Sequence, residues 1–454
     1  MSCEIKQNDA SIIKAWTFYD WANSVFPLVI TSAIFPNYYE YVTSHDSNKI
    51  FIGKSIRFLG HEFQNHDIYA YVYAFALSIV VLIVPALSGI ADYLGNKKRF
   101  LRFFCYLGSI SCMGLFFFNR ENIELSFIPF ITATIGFWGS LVYYNSYLPE
   151  IASVDQQDKI SARGFAMGYL GSSLLLIVCL IGMIFFKYEE NMVDGKLVVT
   201  GFFKVKYSFL LTGIWWFGFA QYVFSKLPDT QSKKTDKKWS KIISKGFNEL
   251  TNVFKDVLKQ KRLKRFLSSY FFYNMGVQTV MVMAVLFARQ EIDWGIGEAA
   301  EKSKTNSLIV SILLIQFLGI AGSFLFSFIS KKIGSIKGLG VAIIFWIGIC
   351  LFTYFIVKKP IHFYMVAASV GLVMGGIQAL SRSTYSKFLP ETDDHASYFS
   401  FYDVMEKLGM IIGTITFGII SQLTGMRNSV LALITFFVIG FLLLLIVPKN
   451  SENR

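Results

Sequence analysis

The amino-acid sequence predicts an all-α integral membrane protein with twelve transmembrane helices arranged as two pseudo-symmetric six-helix halves. Three observations support this class: a high apolar content, a series of apolar runs of bilayer-crossing length, and motifs that recur in both parts of the chain. Hydrophobic residues make up 54% of the 454 residues and charged residues only 16%, whereas soluble domains usually carry about 25% charged residues. With a mean hydropathy of +0.49, much of the surface is expected to face lipid.

The apolar runs define the predicted spans. They are continuous, which favours helices over a β-barrel, whose strands would alternate over about ten residues. A spanning helix needs about 20 apolar residues, and the first run is too long for a cleavable signal peptide. The predicted spans lie at residues 16–39, 68–91, 100–118, 126–148, 164–186, 207–224, 266–289, 306–330, 338–357, 361–386, 401–424 and 427–447.

A basic segment separates the sixth and seventh runs. It divides the chain into an N-terminal half (1–224), a linker (225–265) and a C-terminal half (266–454). The linker holds 13 of the 43 Lys and Arg residues, without the interleaved aromatic residues of a nucleic-acid binder. Within it, Phe247, Leu250, Phe254 and Val257 recur at helical spacing. An amphipathic helix on the cytoplasmic membrane surface is therefore predicted.

The two halves share short motifs at corresponding places. Leu148-Pro149-Glu150 ends the fourth run, and Leu389-Pro390-Glu391 ends the tenth. Parallel repeats of this kind are typical of transporters that work by alternating access, with the binding site between the halves.

The distribution of basic residues predicts the orientation in the membrane. Segments on the side of the N terminus hold about twice as many Lys and Arg residues as those on the other side. The positive-inside rule then places both termini in the cytoplasm. The chain contains no Asn-x-Ser/Thr sequon, which favours a bacterial inner (plasma) membrane. No spacing of Cys and His indicates a metal site, and no cofactor is expected.

Several polar side chains lie within the apolar runs, where ionisable groups are costly and often functional. Helical spacing places Asp20 with Asn23 on one face, and Gln378 with Arg382 on another. The forked cation of Arg382 suits a carboxylate or phosphate. We expect these groups to face a common cavity between the halves. The predicted substrate-binding residues are Asp20, Asn23, Asn145, Asn274, Gln278, Gln378, Arg382 and Lys407, and the predicted ion-coupling residues are Asp20, Asp403 and Glu406.

Each assignment has a structural alternative. Asp20 could cap a helix or snorkel to the interface. Asp403 and Lys407 are four residues apart and could form an internal ion pair that only holds the bundle together. The buried amides could be interhelical hydrogen-bonding groups worth about 1 kcal/mol each.

Charged residues in the loops of one end predict a gate. Asp92 lies between the second and third runs, Glu150 and Arg163 flank the loop after the fourth run, and Glu391 repeats the position of Glu150. We predict that these four residues form salt bridges that close the inner side and open during transport. The alternative is that loop charges only set the topology.

Several of these motifs resemble a known family. The stretch containing Ser88, Asp92, Gly95, Lys97 and Lys98 resembles the loop signature of the major facilitator superfamily, with Ser88 where that family usually has Gly. One branch, the vacuolar amino-acid effluxers linked to autophagy and their bacterial relatives, is similar at four further motifs. These are residues 19–24 (YDWANS), Asn145 with 148–150 (LPE), residues 375–383 (GGIQALSRS), and 401–403 (FYD) with Lys407.

The resemblance covers nearly the whole chain. It implies the twelve-helix facilitator fold and the export or uptake of small solutes such as amino acids. One departure is Glu406, where that branch commonly has Gly before the lysine of span eleven.

The predicted function is therefore secondary active transport of a small polar solute such as an amino acid, coupled to protons. The predicted partners are the solute, protons and membrane lipids, with no nucleic acid, and the protein is expected to be a monomer. Two alternatives stay open: a lipid or amphipath translocator of the same fold, and a nutrient sensor that does not transport. An enzyme is not expected, because no loop carries a nucleophile–base set or metal cluster.

Overall fold

The computed structural model describes residues 6–45, 50–193, 196–229 and 239–448, and they are mainly helical. Within these ranges, ten helices are long and apolar enough to cross a membrane. The first apolar run and the helix Lys206–Lys226 occupy the sequence positions of the other two predicted spans. The structure is therefore consistent with twelve spans, and the predicted all-α class is confirmed.

The helices and strands follow in chain order. The N-terminal part comprises α1 (Ala10–Asn23), α2 (Phe35–Ser44), α3 (Asn65–Leu94), α4 (Lys97–Gly114), α5 (Ile123–Ser146), α6 (Leu148–Ile151), α7 (Gln157–Phe185) and α8 (Lys206–Lys226). The linker forms α9 (Trp239–Lys259). The C-terminal part comprises α10 (Lys261–Glu291), α11 (Glu298–Ile333), α12 (Ser335–Ile356), α13 (Pro360–Phe388), α14 (His395–Thr424) and α15 (Met426–Leu445).

Two loops contain β-hairpins that the sequence analysis did not predict. Strand β1 (Ser55–Phe58) pairs antiparallel with β2 (His61–Gln64), and β3 (Glu189–Val193) pairs antiparallel with β4 (Lys196–Thr200). Both hairpins connect helices and contribute no strand to the helical bundle.

The first span is longer and less regular than predicted. It runs from residue 10 to residue 44, because a π-helical segment, Phe26–Ala33, joins α1 to α2. Pro27 lacks the N–H that a regular helix needs at that position. The hydroxyls of Thr31 and Ser32 both donate to the Pro27 carbonyl, at 2.7 and 2.8 Å. The irregular segment begins three residues after Asn23, and π-bulges are frequent at functional sites.

The buried apolar side chains form two main clusters. One comes mostly from α1–α8 and includes Trp16, Phe130 and Trp216. The other comes mostly from α10–α15 and includes Trp346 and Phe437. The second cluster also contains Val80, Val84 and Val142 of the N-terminal part, and the division into two halves stays a prediction. We call the boundary between α1–α8 and α10–α15 the seam.

The amphipathic linker helix α9 packs on the bundle beside the seam. A methyl group at Gly89 of α3 would come within 2.3 Å of the Gly246 carbonyl oxygen, so the two backbones approach closely. Val257 is buried, and the Phe254 ring stacks on Phe401 of α14 at 5.6 Å. Part of the apolar face of α9 is thus covered by protein, whereas the sequence analysis predicted that this face lies on the membrane surface.

Candidate functional site

A buried ion pair crosses the seam. Arg382 on α13 donates from Nη1 to Oδ2 of Asp20 on α1 at 3.2 Å, and the Tyr144 hydroxyl of α5 donates to the same oxygen at 2.7 Å. Asp20 is 5% exposed and Arg382 3% exposed. A buried charge without a partner costs several kcal/mol, so the geometry keeps these two groups together.

The Arg382 guanidinium is held by further groups of the N-terminal part. Its Nε donates to Ser161 Oγ at 3.0 Å and its Nη2 to the Ser161 carbonyl at 2.9 Å. Its Nη1 also lies 3.3 Å from Asn145 Oδ1. The rings of Trp16 and Phe165 lie 4.8 and 4.2 Å from the guanidinium carbon, within cation–π range. A residue of α13 is therefore anchored on α1, α5 and α7.

Close packing at Gly164 makes room for this ion pair. A methyl group at Gly164 would lie 2.5 Å from Asp20 Oδ2 and 2.8 Å from Arg382 Nη2. Both atoms are fixed by the hydrogen bonds above, so any larger side chain on α7 would displace them.

A second ionic cluster lies on α14 and α10. Lys407 is fully buried and forms an ion pair with Asp403, four residues earlier. Its Nζ also lies 3.4 Å from Glu406 Oε2, and Gln278 of α10 donates to Glu406 Oε1 at 2.8 Å. Nζ lies 3.7 Å from the ring centroid of Trp138 on α5, which brings the two sides of the seam together. The internal Asp403–Lys407 pair that the sequence analysis left open is thus present in this conformation.

The remaining predicted amides occupy two kinds of environment. Gln378 accepts a hydrogen bond at 2.8 Å from the Tyr169 hydroxyl of α7, across the seam. Asn23 and Asn274 are 1% and 5% exposed. Neither of their side-chain nitrogens has a hydrogen-bonding partner in the described ranges. Buried amide nitrogens are nearly always paired, so these two positions are suited to an additional acceptor.

The predicted site therefore divides into two clusters rather than one continuous set. Asp20, Asn145 and Arg382 meet in the first, and Asn274, Gln278 and Lys407 meet in the second with Asp403 and Glu406. Asn23 lies beside Ser24, whose hydroxyl is 3.5 Å from Asn23 Oδ1. The substrate-binding and ion-coupling roles stay predictions.

One end of the seam is closed by a further set of polar contacts. Asp92 at the end of α3 accepts backbone hydrogen bonds from Ala396 at 3.2 Å and Ser397 at 2.6 Å. These N–H groups belong to the first turn of α14, where the helix dipole favours a carboxylate. An acid of the N-terminal part thus caps a helix of the C-terminal part.

Glu150 and Asp158 make comparable contacts across the seam. Glu150 of α6 forms an ion pair with Lys97 and lies 2.9 Å from His395 Nδ1 on α14. Asp158 of α7 lies 2.6 Å from Lys387 Nζ at the end of α13. Asp158 also accepts hydrogen bonds from Ser330 and Ser335, which lie on α11 and α12. We call Asp92, Lys97, Glu150, Asp158, Lys387 and His395 the latch.

Two of the four predicted gate residues lie outside the latch. Arg163 and Glu391 are exposed, and neither has an ion pair or a side-chain hydrogen bond to another described residue. Asp92 and Glu150 do lie at the seam. The gating role of all four stays a prediction.

Several residues of both regions were not singled out from the sequence. Tyr144 is one of 23 tyrosines, and the sequence positions of Ser161 and Trp138 carry no distinguishing pattern. Asp158 and Lys387 were easier to predict, because each is an ionisable residue close to the end of an apolar run.

The family model and the related sequences indicate the same family for this chain. The model of the "Vacuole effluxer Atg22 like" family matches residues 8–454. An uncharacterized MFS-type transporter of Bacillus subtilis, YxiO, is 29% identical over 441 residues, covering 97% of this chain and 95% of its own. Autophagy-related protein 22 of Yarrowia lipolytica is 23% identical over 475 residues, covering 84% of this chain and 76% of its own.

Solved structures identify the fold. The human organic anion transporter MFSD10 has a TM-score of 0.69 at 11% identity, covering 97% of this chain and 100% of its own. The Escherichia coli fucose:proton symporter FucP has a TM-score of 0.65 at 15% identity, covering 97% and 98%. The fold, with its apolar spans, is that of a multi-pass membrane protein of the major facilitator superfamily. The chain therefore belongs to the vacuole effluxer Atg22-like family of major-facilitator-type transporters.

Proposed function

We propose that this protein is a secondary active transporter that moves a small polar solute such as an amino acid by alternating access. The observation that carries the proposal is the Asp20–Arg382 pair, a buried cation and anion contributed by opposite sides of the seam. The buried amide nitrogens of Asn23 and Asn274 have no hydrogen-bonding partner among the described residues, and they add binding capacity for a polar solute.

The charges of the pair match those of an amino acid. The carboxylate of a zwitterion binds the forked Arg382 cation, and its ammonium group binds Asp20. The solute carboxylate thereby takes the place of Asp20 beside Arg382, and the solute ammonium group takes the place of Arg382 beside Asp20. The seam can then open without leaving an uncompensated buried charge, which would otherwise cost about 3–5 kcal/mol.

The latch accounts for closure of one end. In this conformation Asp92, Glu150 and Asp158 join helices of both parts at the same end of the bundle. In the proposed cycle, residues 1–224 and 266–454 rock about the site, the latch separates, and contacts form at the other end. The linker 225–265 allows the halves to move while it remains attached to both.

Proton coupling is the proposed energy source. Asp20, Asp403 and Glu406 are carboxylates at or near the seam, and a carboxyl group in a poorly solvated site exchanges protons when its partner changes. A monomer in a bacterial plasma membrane, with both termini and the latch in the cytoplasm, is the proposed setting. The proposal covers both efflux and uptake, because the same cycle runs in either direction.

Transport by purified protein in proteoliposomes tests the proposal. We expect radiolabelled amino acids to accumulate when a pH gradient is imposed, and the rate to fall at least tenfold with Arg382→Ala. Arg57→Ala is the matched control, because Arg57 is an exposed residue of the β1–β2 hairpin and belongs to neither ionic cluster nor to the latch. Flux that ignores the pH gradient would remove proton coupling. Binding of amino acids without flux would favour the sensor alternative.

A further inference from the structure

The ionic groups of the two clusters described above do not balance. The Asp20–Arg382 pair is neutral, but Lys407 faces two carboxylates, Asp403 and Glu406. Three anions therefore share two cations, which leaves one excess negative charge. Glu406 is partly buried, with 18% of its side chain exposed. A carboxylate without a full counter-charge is costly in such a poorly solvated place, so this cluster favours the arrival of one positive charge.

Among the described residues, the groups around Glu406 offer no cation besides Lys407. Glu406 accepts a hydrogen bond from the neutral amide of Gln278 at 2.8 Å. The Trp138 ring lies over Lys407 and stabilises that cation without neutralising a carboxylate. The titratable side chains that interact with Glu406 from α3, α10 and α14 include Asp403, Lys407 and the phenols of Tyr73, Tyr270 and Tyr402. Of these, only Lys407 is a cation.

A second observation marks the same cluster as a binding place. Asn274 precedes Gln278 by one helical turn, and its Oδ1 lies 3.5 Å from Gln278 Nε2. Asn274 is 5% exposed, and its side-chain nitrogen has no partner in the described part of the chain. The cluster thus offers a carboxylate to a cationic group and, one helical turn away, an amide donor to an acceptor group of a polar guest.

The spacing of the two clusters sets the length of that guest. Asn145 contacts Arg382, and Trp138 contacts Lys407. Both are on α5 and lie seven residues apart, so they share a face and are separated by about 10 Å along the axis at 1.5 Å per residue. A solute that reaches both clusters must therefore carry polar groups at both ends of an extended chain.

Resting on the function proposed above, we propose that the transported solute is a cationic amino acid with a long side chain, of the lysine and arginine type. Its α-carboxylate and α-ammonium groups bind Arg382 and Asp20. Its side-chain cation binds Glu406 and supplies the missing positive charge. Glu406 is then a residue that determines specificity, and a neutral amino acid leaves its carboxylate uncompensated.

Equilibrium binding to the purified full-length protein tests the assignment, with lysine and norleucine as probes. Norleucine has the length of lysine without the terminal ammonium group. A charge-assisted hydrogen bond predicts that lysine binds at least about tenfold more tightly than norleucine. With Glu406→Gln the ratio should fall towards one. Glu40→Gln is the matched control and should keep the preference, because Glu40 is a partly exposed acid of α2 that pairs with Lys54.

The possible results separate the two proposals. If Glu406→Gln fails to fold, Glu406→Asp keeps the charge and should retain a preference for lysine. Norleucine binding and transport equal to or better than that of lysine would overturn the cationic assignment, although amino-acid transport would stand. Absence of binding by every amino acid tested would overturn the proposed function as well.

Discussion

Substitution of Gly164 by Ala should prevent the seam from closing around its central ion pair. The added methyl group would lie 2.5 Å from Asp20 Oδ2 and 2.8 Å from Arg382 Nη2, well inside van der Waals contact. Neither atom can move freely, because Tyr144 also holds Asp20 and Ser161 holds Arg382. Overpacking costs about 1–3 kcal/mol, and loss of one charge-assisted hydrogen bond costs about 1.5–3 kcal/mol.

We take about 3 kcal/mol as the destabilisation of the closed conformation. At about 1.4 kcal/mol per tenfold change, the ratio of latched to open molecules should fall roughly 100-fold. Spin labels at Lys159 on α7 and Lys331 on α11, which are both exposed near the latch, report this ratio as a distance distribution. The variant should populate longer distances, and its transport rate should fall with them.

Gly218→Ala is the matched control for this experiment. Gly218 lies within α8, and a methyl group there would meet no atom within 4 Å. Its spin-label distances and transport should match those of the unsubstituted protein. If Gly164→Ala also leaves the distance distribution unchanged, then the contact at Gly164 does not limit closure and the reasoning from packing is wrong.

Three further perturbations follow from contacts across the seam and beside it. Asp20→Asn leaves the Arg382 cation buried without its anion, so the free energy of unfolding should fall by about 3–5 kcal/mol; thermal unfolding in detergent measures it, and an unchanged midpoint would argue that the pair is solvated. Asp158→Asn and Lys387→Gln should show about 1 kcal/mol of coupling in a double-mutant cycle read by the same spin labels, and strict additivity would contradict a direct contact. Gly246→Ala should push α9 away from α3, since its methyl group would lie 2.6 Å from an Ile90 side-chain carbon and 2.9 Å from the Ile90 backbone nitrogen; faster proteolysis of the linker is expected, and an unaltered rate would show that α9 adjusts.

The sequence was most informative about the spans. Apolar runs of about 20 residues predict membrane helices, because backbone N–H and C=O groups in lipid must find hydrogen-bonding partners within their own segment. This requirement is the same whatever the neighbouring segments are. The irregular first span is the exception. The π-helical segment contains hydrogen bonds of Thr31 and Ser32 to the Pro27 carbonyl that spacing does not predict. The extension to residue 44 was not predicted either.

The candidate site was predictable only in part. Asp20, Arg382 and Lys407 could be singled out because an ionisable group inside an apolar run is expensive whatever surrounds it. Their partners could not, since Tyr144, Ser161 and Trp138 are ordinary residues until α5 and α7 are placed beside them. The two hairpins were also missed, because short strands in polar loops carry a weak pattern.

Apolar patterning alone determined that this chain lies in a membrane as a helical bundle with a few costly charges inside. Tertiary packing decided which charges meet. Residues 20 and 382 are hundreds of positions apart, and only the apposition of α1 with α13 makes them a pair. The physical reason is that the cost of burying a charge depends on the residue that carries it and can be read from the sequence. The group that compensates this charge depends on which helix packs against it, and only the tertiary structure shows that.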